Sequence, residues 1–358
     1  MIFLRRILQK NHNLFRYFTA ESCSAENENT EDKLLMKISC QDNPPSDKIT
    51  VVGVGSVGVA VAFAIVSQNI SNNIVLVDAD QKRLCGERLD LQQGSTFKGN
   101  YKIEACTDYT KTACSKVCVI TAGVRQKPEE SRLKLVQRNA DIMKEMIPKL
   151  VKYSPDTTLL LVTNPVDVMS YVSWKISGLP NNKVFGSGTH LDSSRFRFFL
   201  SEKFGVSPCQ CHGYIVGEHG DSSVALWSSV NVAGVRLREL NPKAGTDEDD
   251  EKWADIHKKV VRGAYEVIKL KGYTSWAIGL TAASIVNSIL RRAPHCQTVS
   301  INAKGLYGIS EDLYLSLPAL INSNGISHVV KKNLDCEEQD KLMKSAKTLE
   351  EIQKSVKI

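Results

Sequence analysis

The sequence predicts an α/β protein built on a doubly wound parallel sheet and completed by a second, mixed α+β domain. Three observations carry this. A turn, Gly53-Val54-Gly55-Ser56-Val57-Gly58, sits between a β-branched run, Ile49-Thr50-Val51-Val52, and an apolar helix over Val57 to Ser67. A second buried strand, Ile74-Val75-Leu76-Val77, follows and ends in Asp78, completing a βαβ unit of about thirty residues. Short, nearly continuous apolar runs then alternate with helical stretches, the pattern of a parallel sheet covered on both faces. This is the Rossmann arrangement.

In chain order, residues 1–47 form a leading segment and an arm, the arm polar and acidic and ending in Asn43-Pro44-Pro45-Ser46. Residues 48–189 form the dinucleotide-binding domain. After the first βαβ unit, strands are expected at Lys102–Ala105, Val117–Thr121, Leu159–Val162 and Val184–Phe185, with a long helix from Arg132 to Lys152. That strand count suffices for two mononucleotide-binding halves. Residues 190–358 form the second domain. It starts with a helix carrying Arg195, Phe198, Phe199 and Leu200, then strand-like segments around Tyr214–Val216 and Ser223–Val230. Helices are expected over about 248–270 and 275–291, and strands at Thr298–Ile301, Leu313–Ser316 and Ser327–Val330. Leu342, Ala346, Leu349, Ile352 and Val356 recur at spacings of three and four, which predicts a closing helix.

Composition excludes several classes. A chain of 358 residues, 42% hydrophobic and 24% charged, is neither disordered nor fibrous. Of the net charge of +7, the first twenty residues supply +4 through Arg5, Arg6, Lys10 and Arg16, leaving an excess too mild to argue for nucleic acid. The longest apolar run, Val51 to Val66, is interrupted by three glycines and is a turn rather than a membrane span. The ten cysteines form no C-x-x-C pair, and Cys209-x-Cys211-His212 is the nearest approach to a metal cluster; reduced thiols and no metal are expected. Residues 1–20 are basic, free of acid and interleave apolar residues with arginines, which points to a mitochondrial transit peptide, with a merely basic tail on a cytoplasmic protein as the alternative.

The polar constellations point to hydride chemistry. In the glycine turn, Gly53 makes the tight bend, Gly55 lets backbone approach a pyrophosphate and Gly58 lets helix pack on strand. The helix N-terminus then offers N–H groups to phosphates. Asp78 can bind both ribose hydroxyls and would repel a 2′-phosphate, favouring NAD over NADP; its alternative is an ordinary helix cap. Thr121-Ala122-Gly123 opens a polar loop carrying Arg125, Gln126, Lys127 and Arg132, which would overhang the carboxyl ends of the strands; Thr121 and Gly123 belong to the cofactor side of that loop. Asp192 and Arg195, three apart on a helix, share a face. Arg195 can clamp a carboxylate and Asp192 can orient a histidine. His219, in Glu218-His219-Gly220-Asp221, has the intrinsic pKa for reversible proton transfer near neutrality.

These residues lie in stretches that resemble the animal-type L-lactate dehydrogenases, from about Asp32 to the end: KITVVGVGSVG, ESRLKLVQRN, LVTNPVDV, YVSWKISG, GEHGDSSV, NVAGV, YEVIKLKGYTSWAIGL and KGLYGI. The resemblance implies NAD as cofactor, a homotetramer, and reversible reduction of pyruvate. It implies His219 as proton donor with Asp192 as partner, Arg195 as carboxylate clamp and Arg132 as the group polarising the carbonyl. It also implies Asn164 as a contact to cofactor and substrate, Thr274 as a substrate contact and Arg125 as a cofactor contact. Gln126 stands where this superfamily tends to have glutamine in lactate enzymes and arginine in malate enzymes. Oxaloacetate's second carboxylate needs a nearby cation once water is excluded, whereas a neutral glutamine suits a methyl group.

Malate dehydrogenase is the alternative, with Lys127 as a possible source of that cation. Glu129, where the resemblance leads one to expect glycine, His190 for asparagine, Gln93 for histidine, and the N-terminal extension mark this chain as a divergent paralogue. A further alternative is a catalytically weak NAD-binding protein with a regulatory role. His190, two residues before Asp192, is expected to disturb the His219–Asp192 pair.

Overall fold

The computed structural model describes residues 35–37, 47–124, 132–291 and 294–358. Ten strands among them make one sheet: β1 (Leu35–Lys37), β2 (Ile49–Val52), β3 (Asn73–Val77), β4 (Lys102–Cys106), β5 (Val117–Ile120), β6 (Thr158–Leu161), β7 (Val184–Gly186), β8 (His295–Asn302), β9 (Tyr314–Asn322) and β10 (Gly325–Val330). The main helices are α1 (Ser56–Ser67), α2 (Gln81–Gln93), α3 (Arg132–Tyr153), α4 (Val166–Ser177), α5 (His190–Phe204), α6 (Ala254–Lys271), α7 (Trp276–Leu290) and α8 (Cys336–Ser355).

The spatial order is β4-β3-β2-β5-β6-β7-β8-β9-β10-β1. The first six strands run parallel, with Val51 opposite Leu76 on one side and Val119 on the other. Chain direction across the sheet reverses between β2 and β5, so the crevice outside their carboxyl ends is the place where such a fold takes a ligand. Residues of β2, β5 and β6 are buried, as runs rich in Val, Ile and Leu require. Each such side chain withdrawn from water contributes roughly 1.5–3 kcal/mol.

The second half extends the same sheet. β8 joins β7 antiparallel at Ser300 and Gly186, and β8, β9 and β10 continue antiparallel. Helix α7 lies on α1, where a Cβ on Gly279 would stand 2.9 Å from Ala60. The first turn of α7 therefore meets α1 at Ala60. A smaller core gathers Phe196, Leu200, Trp227, Leu237 and Trp253.

Three expectations change. Ser223–Val230 is not one strand but a two-residue strand, Val224–Ala225, and a 3-10 turn, Trp227–Ser229, because Trp227 turns inward against Phe196 with ring centroids 5.0 Å apart. Helix α6 starts at Ala254, after a turn in which Asp249 accepts from the backbone N–H groups of Gly245 and Trp253. The arm supplies β1, paired antiparallel with β10. Among the described residues no helix is long and apolar enough to cross a membrane, and the cysteines form no disulfide.

Candidate active site

The three turn glycines have three different geometric reasons. Gly53 has φ +96, and a Cβ there would lie 2.6 Å from the Ala122 nitrogen. A Cβ on Gly58 would stand 1.8 Å from the Gly53 carbonyl oxygen, so α1 can pack on the turn only without one. A Cβ on Gly55 would meet nothing within 4 Å. The room beside Gly55 is therefore the opening through which backbone can approach a ligand, and Gly55 is also the N-cap of α1, where no side chain caps the helix.

Asp78 closes this cradle. Its Oδ2 accepts from the Val54 N–H at 2.7 Å and its Oδ1 from the Asp80 N–H at 2.9 Å. The helix cap is instead Asp80, which accepts from the Arg83 N–H at 3.1 Å. Asp78 is thus tied to the glycine turn, and each carboxylate oxygen retains a lone pair for a hydroxyl donor. The Thr121 hydroxyl lies 2.8 Å from the Gly53 carbonyl oxygen and 3.0 Å from that of Val52, supporting the turn from behind. Gly123 is exposed, and a Cβ on it would strike Thr163 at 2.4 Å. An open cradle, an uncapped helix end and a placed carboxylate fit an adenine dinucleotide without a 2′-phosphate.

Arg125, Gln126, Lys127 and Glu129 lie outside the described residues. Arg132 is the first residue of α3, and its side chain also lies outside them. The root of that loop is held by Asn139, fully buried, which sequence reasoning did not single out. Its Oδ1 accepts from the Val124 N–H at 2.8 Å and its Nδ2 donates to the Asn164 carbonyl at 2.9 Å. Asn164 itself is exposed at the end of β6, and Thr274 is half-buried in the link between α6 and α7.

On α5, Asp192 serves two partners. One oxygen accepts from Arg195 Nη1 at 3.0 Å, and the other faces His219 Nδ1 at 2.6 Å. A Cβ on Gly263 of α6 would stand 3.4 Å from the Arg195 Cδ, so that helix packs directly on the arginine. The His219 N–H donates to Asp167 Oδ2 at 2.8 Å. Asp167 was missed by sequence reasoning: it is 2% exposed on α4 and a long way along the chain. Burial raises its carboxyl to about 6, against the opposing pull of hydrogen bonds and of His219.

Burial alone would lower the His219 pKa, and Arg195 acts in the same direction. The charge and hydrogen bond of Asp192, with the charge of Asp167, outweigh both and push the imidazole up to about 9. Asp192 is held below the usual carboxylate range: its burial opposes ionisation, but His219 and Arg195 overcome it.

The chain matches the lactate/malate dehydrogenase NAD binding domain over residues 47–186 and the lactate/malate dehydrogenase alpha/beta C-terminal domain over residues 189–357. It belongs to the lactate/malate dehydrogenase family. It is 52% identical over 328 residues to the L-lactate dehydrogenase B chain of Homo sapiens, covering 91% of this chain and 98% of that one. It is 53% identical over 329 residues to the L-lactate dehydrogenase A chain of Danio rerio, with the same coverage. The B chain of Alligator mississippiensis is 52% identical over 327 residues.

Two residues expected to depart from the family's pattern, His190 and Gln93, lie among the described residues. His190, expected to disturb the His219–Asp192 pair, lines a separate cleft of about 390 Å³ with Ser194, Arg197 and Tyr214. Residues 190, 194 and 197 share one side of α5, whereas 192 and 195 share another, since two residues rotate a helix by about 200°. Burial, then the charge of Arg197, lowers the His190 pKa to about 4, so it is neutral near pH 7. Gln93 is exposed at the end of α2, while its neighbour Gln92 bridges the Tyr101 carbonyl and the Ile103 N–H.

Proposed function

We propose that this chain is an NAD-dependent L-lactate dehydrogenase that interconverts pyruvate and L-lactate, with His219 as the proton donor and acceptor. The observation that carries the reading is the shared Asp192 carboxylate, which holds His219 and Arg195 side by side and so supports the first as proton carrier and the second as carboxylate clamp. An ionised carboxylate only accepts, so Nδ1 of His219 donates to it and Nε2 is left to exchange a proton with substrate. With its pKa raised to about 9, His219 is protonated near neutrality and ready to give that proton to a carbonyl oxygen. Arg195 has five N–H donors in a planar fork, and those beyond Nη1 can take the substrate carboxylate. Arg132 is the cation for the carbonyl oxygen, Gln126 the neighbour of the methyl group, and Asn164 and Thr274 further substrate contacts.

Gly53, Gly55, Gly58 and Asp78 would hold the NAD pyrophosphate and ribose, with Thr121, Gly123, Arg125 and Asn164 along its path. Bound there, the nicotinamide supplies or removes the hydride at the carbonyl carbon.

Steady-state NADH oxidation with pyruvate and oxaloacetate side by side tests this. A kcat/KM favouring pyruvate by orders of magnitude is expected. Preference for oxaloacetate would mean malate dehydrogenase, with Lys127 or another cation facing the second carboxylate. NADH binding without turnover of either would mean a regulatory paralogue.

We further propose a homotetramer. What supports it is that Tyr265, Ile268 and Leu270 on α6 and Trp276 and Leu280 on α7 are exposed large apolar side chains, which a partner subunit would cover. Light scattering after size exclusion is expected to give four times 39.6 kDa. Residues 1–20 are proposed to direct the chain to the mitochondrial matrix, away from cytoplasmic glycolysis, which imaging of fusions with and without them decides.

A further inference from the structure

The segment Gly217–Ser223 that carries His219 is gripped from two sides. On one side Gly217 pairs with Ser316 of β9, both N–H···O distances being 2.9 Å. On the other side stands Ser345, fully buried on α8. Its Oγ accepts from the Glu218 N–H at 2.8 Å and lies 3.1 Å from the Ser222 Oγ. The Ser222 hydroxyl in turn lies 2.6 Å from Glu218 Oε2.

Proton counting fixes the direction of these bonds. The Ser222 hydroxyl has one hydrogen, and the short contact to the carboxylate takes it. The Ser345 hydroxyl therefore donates to Ser222 while accepting from Glu218. The result is a closed ring running from the Glu218 N–H through Ser345 and Ser222 to the Glu218 carboxylate, spanning the residues on both sides of His219. The site is shaped for it: Gly217 has φ +85, and a Cβ there would stand 2.8 Å from the Ser345 Oγ. Leu342, Ala346 and Leu349 bury the same helix, so Ser345 is fixed from behind.

We propose that Ser345 is a positioning residue for His219: through this ring the C-terminal helix sets how the imidazole meets Asp192. The inference rests on His219 being the proton carrier. Charged and titratable groups around that imidazole are Asp192 and Arg195 on α5, Asp167 on α4 and, next to His219 in the chain, Glu218, which acts on Asp167; Asp192 in turn acts on His257 of α6. Asp192 is the one whose contact with the ring nitrogen depends on where the loop lies. If the loop drifts, burial again dominates and the imidazole becomes less basic.

The test compares wild type with Ser345→Ala, Ser345→Thr and Ser222→Ala. Ser345→Ala is expected to lower kcat for pyruvate reduction about tenfold, to leave NADH affinity by fluorescence within about twofold, and to move the descending limb of the pH profile to lower pH. Ser345→Thr keeps the hydroxyl and is expected to restore the limb; Ser222→Ala cuts the ring elsewhere and is expected to move it as Ser345→Ala does, which covers a threonine variant that does not fold. The pH dependence of His219 carbethoxylation, read by peptide mass spectrometry, measures the same basicity without turnover. A wild type silent with both substrates would overturn the function while this readout still judged the ring. A lowered melting temperature with unchanged kcat, limb and carbethoxylation profile would make Ser345 a packing residue and overturn the proposal.

Discussion

Replacing Asp192 with asparagine removes one charge and little volume, and the structure sets the size of the effect. With its pKa at about 9, the wild-type imidazole is about 97% protonated at pH 7.5. In Asp192→Asn the burial cost and the repulsion from Arg195 remain while the principal opposing charge is gone, so the pKa falls to about 6.5 or below. No more than about a tenth of the enzyme then carries the proton, a tenfold loss before orientation is considered. An asparagine amide also cannot hold the Nδ1–H tautomer as a carboxylate does, so the total loss in kcat/KM at pH 7.5 is expected to reach about a hundredfold or more. At pH 5.5 at least about tenfold more of the variant carries the proton than at pH 7.5. The ratio of wild type to variant is therefore expected to narrow at least about tenfold between pH 7.5 and 5.5, measured by NADH oxidation with pyruvate below saturation. An equal ratio at both values would refute the assignment of His219 basicity to Asp192.

Other expectations follow from the same coordinates. Gly55→Ala places a methyl group in the open cradle and is expected to weaken NADH binding at least tenfold with the melting temperature nearly unchanged; Gly58→Ala, driven against the Gly53 carbonyl, is expected to cost about 1–3 kcal/mol of stability as well, which thermal unfolding reads. Asp167→Ala leaves the His219 N–H without its acceptor and is expected to cost about 1–3 kcal/mol in stability together with a fall in kcat, seen by chemical denaturation and kinetics in parallel. His190 is held to about 4 in the fold, below its unfolded value of about 6.5, so the unfolded chain takes up that proton first on acidification and stability is lost as pH falls across this window. His190→Asn is accordingly expected to shrink the drop in melting temperature between pH 7 and pH 5.

What the sequence disclosed, and what it hid, follows from distance along the chain. Gly53, Gly55, Gly58 and Asp78 lie within one βαβ unit, where local spacing decides geometry, and helical phase alone put Asp192 beside Arg195. The same phase rule, applied to His190, would have turned it away from the pair. Asp167, Asn139 and Ser345 were not legible, because each is a common residue type whose meaning arises from a partner on a distant element. Asp167 meets His219 only after α4 packs below the loop, and Ser345 meets Glu218 only through the last helix. β1 was hidden likewise, since a three-residue strand has no periodicity of its own and takes its form from β10.

The carboxylate between Arg195 and His219 limits how far this site can be redesigned. An engineer seeking to reduce neutral ketones would remove Arg195, having no carboxylate to bind. That change would leave the negative charge of Asp192 to the imidazole alone, and Arg195 is one of the groups holding His219 basicity down. The proton would be held more tightly just when a less activated carbonyl needed it. Substrate scope and acid strength are wired to one side chain, so a useful variant must retune Asp192 or Asp167 in the same step.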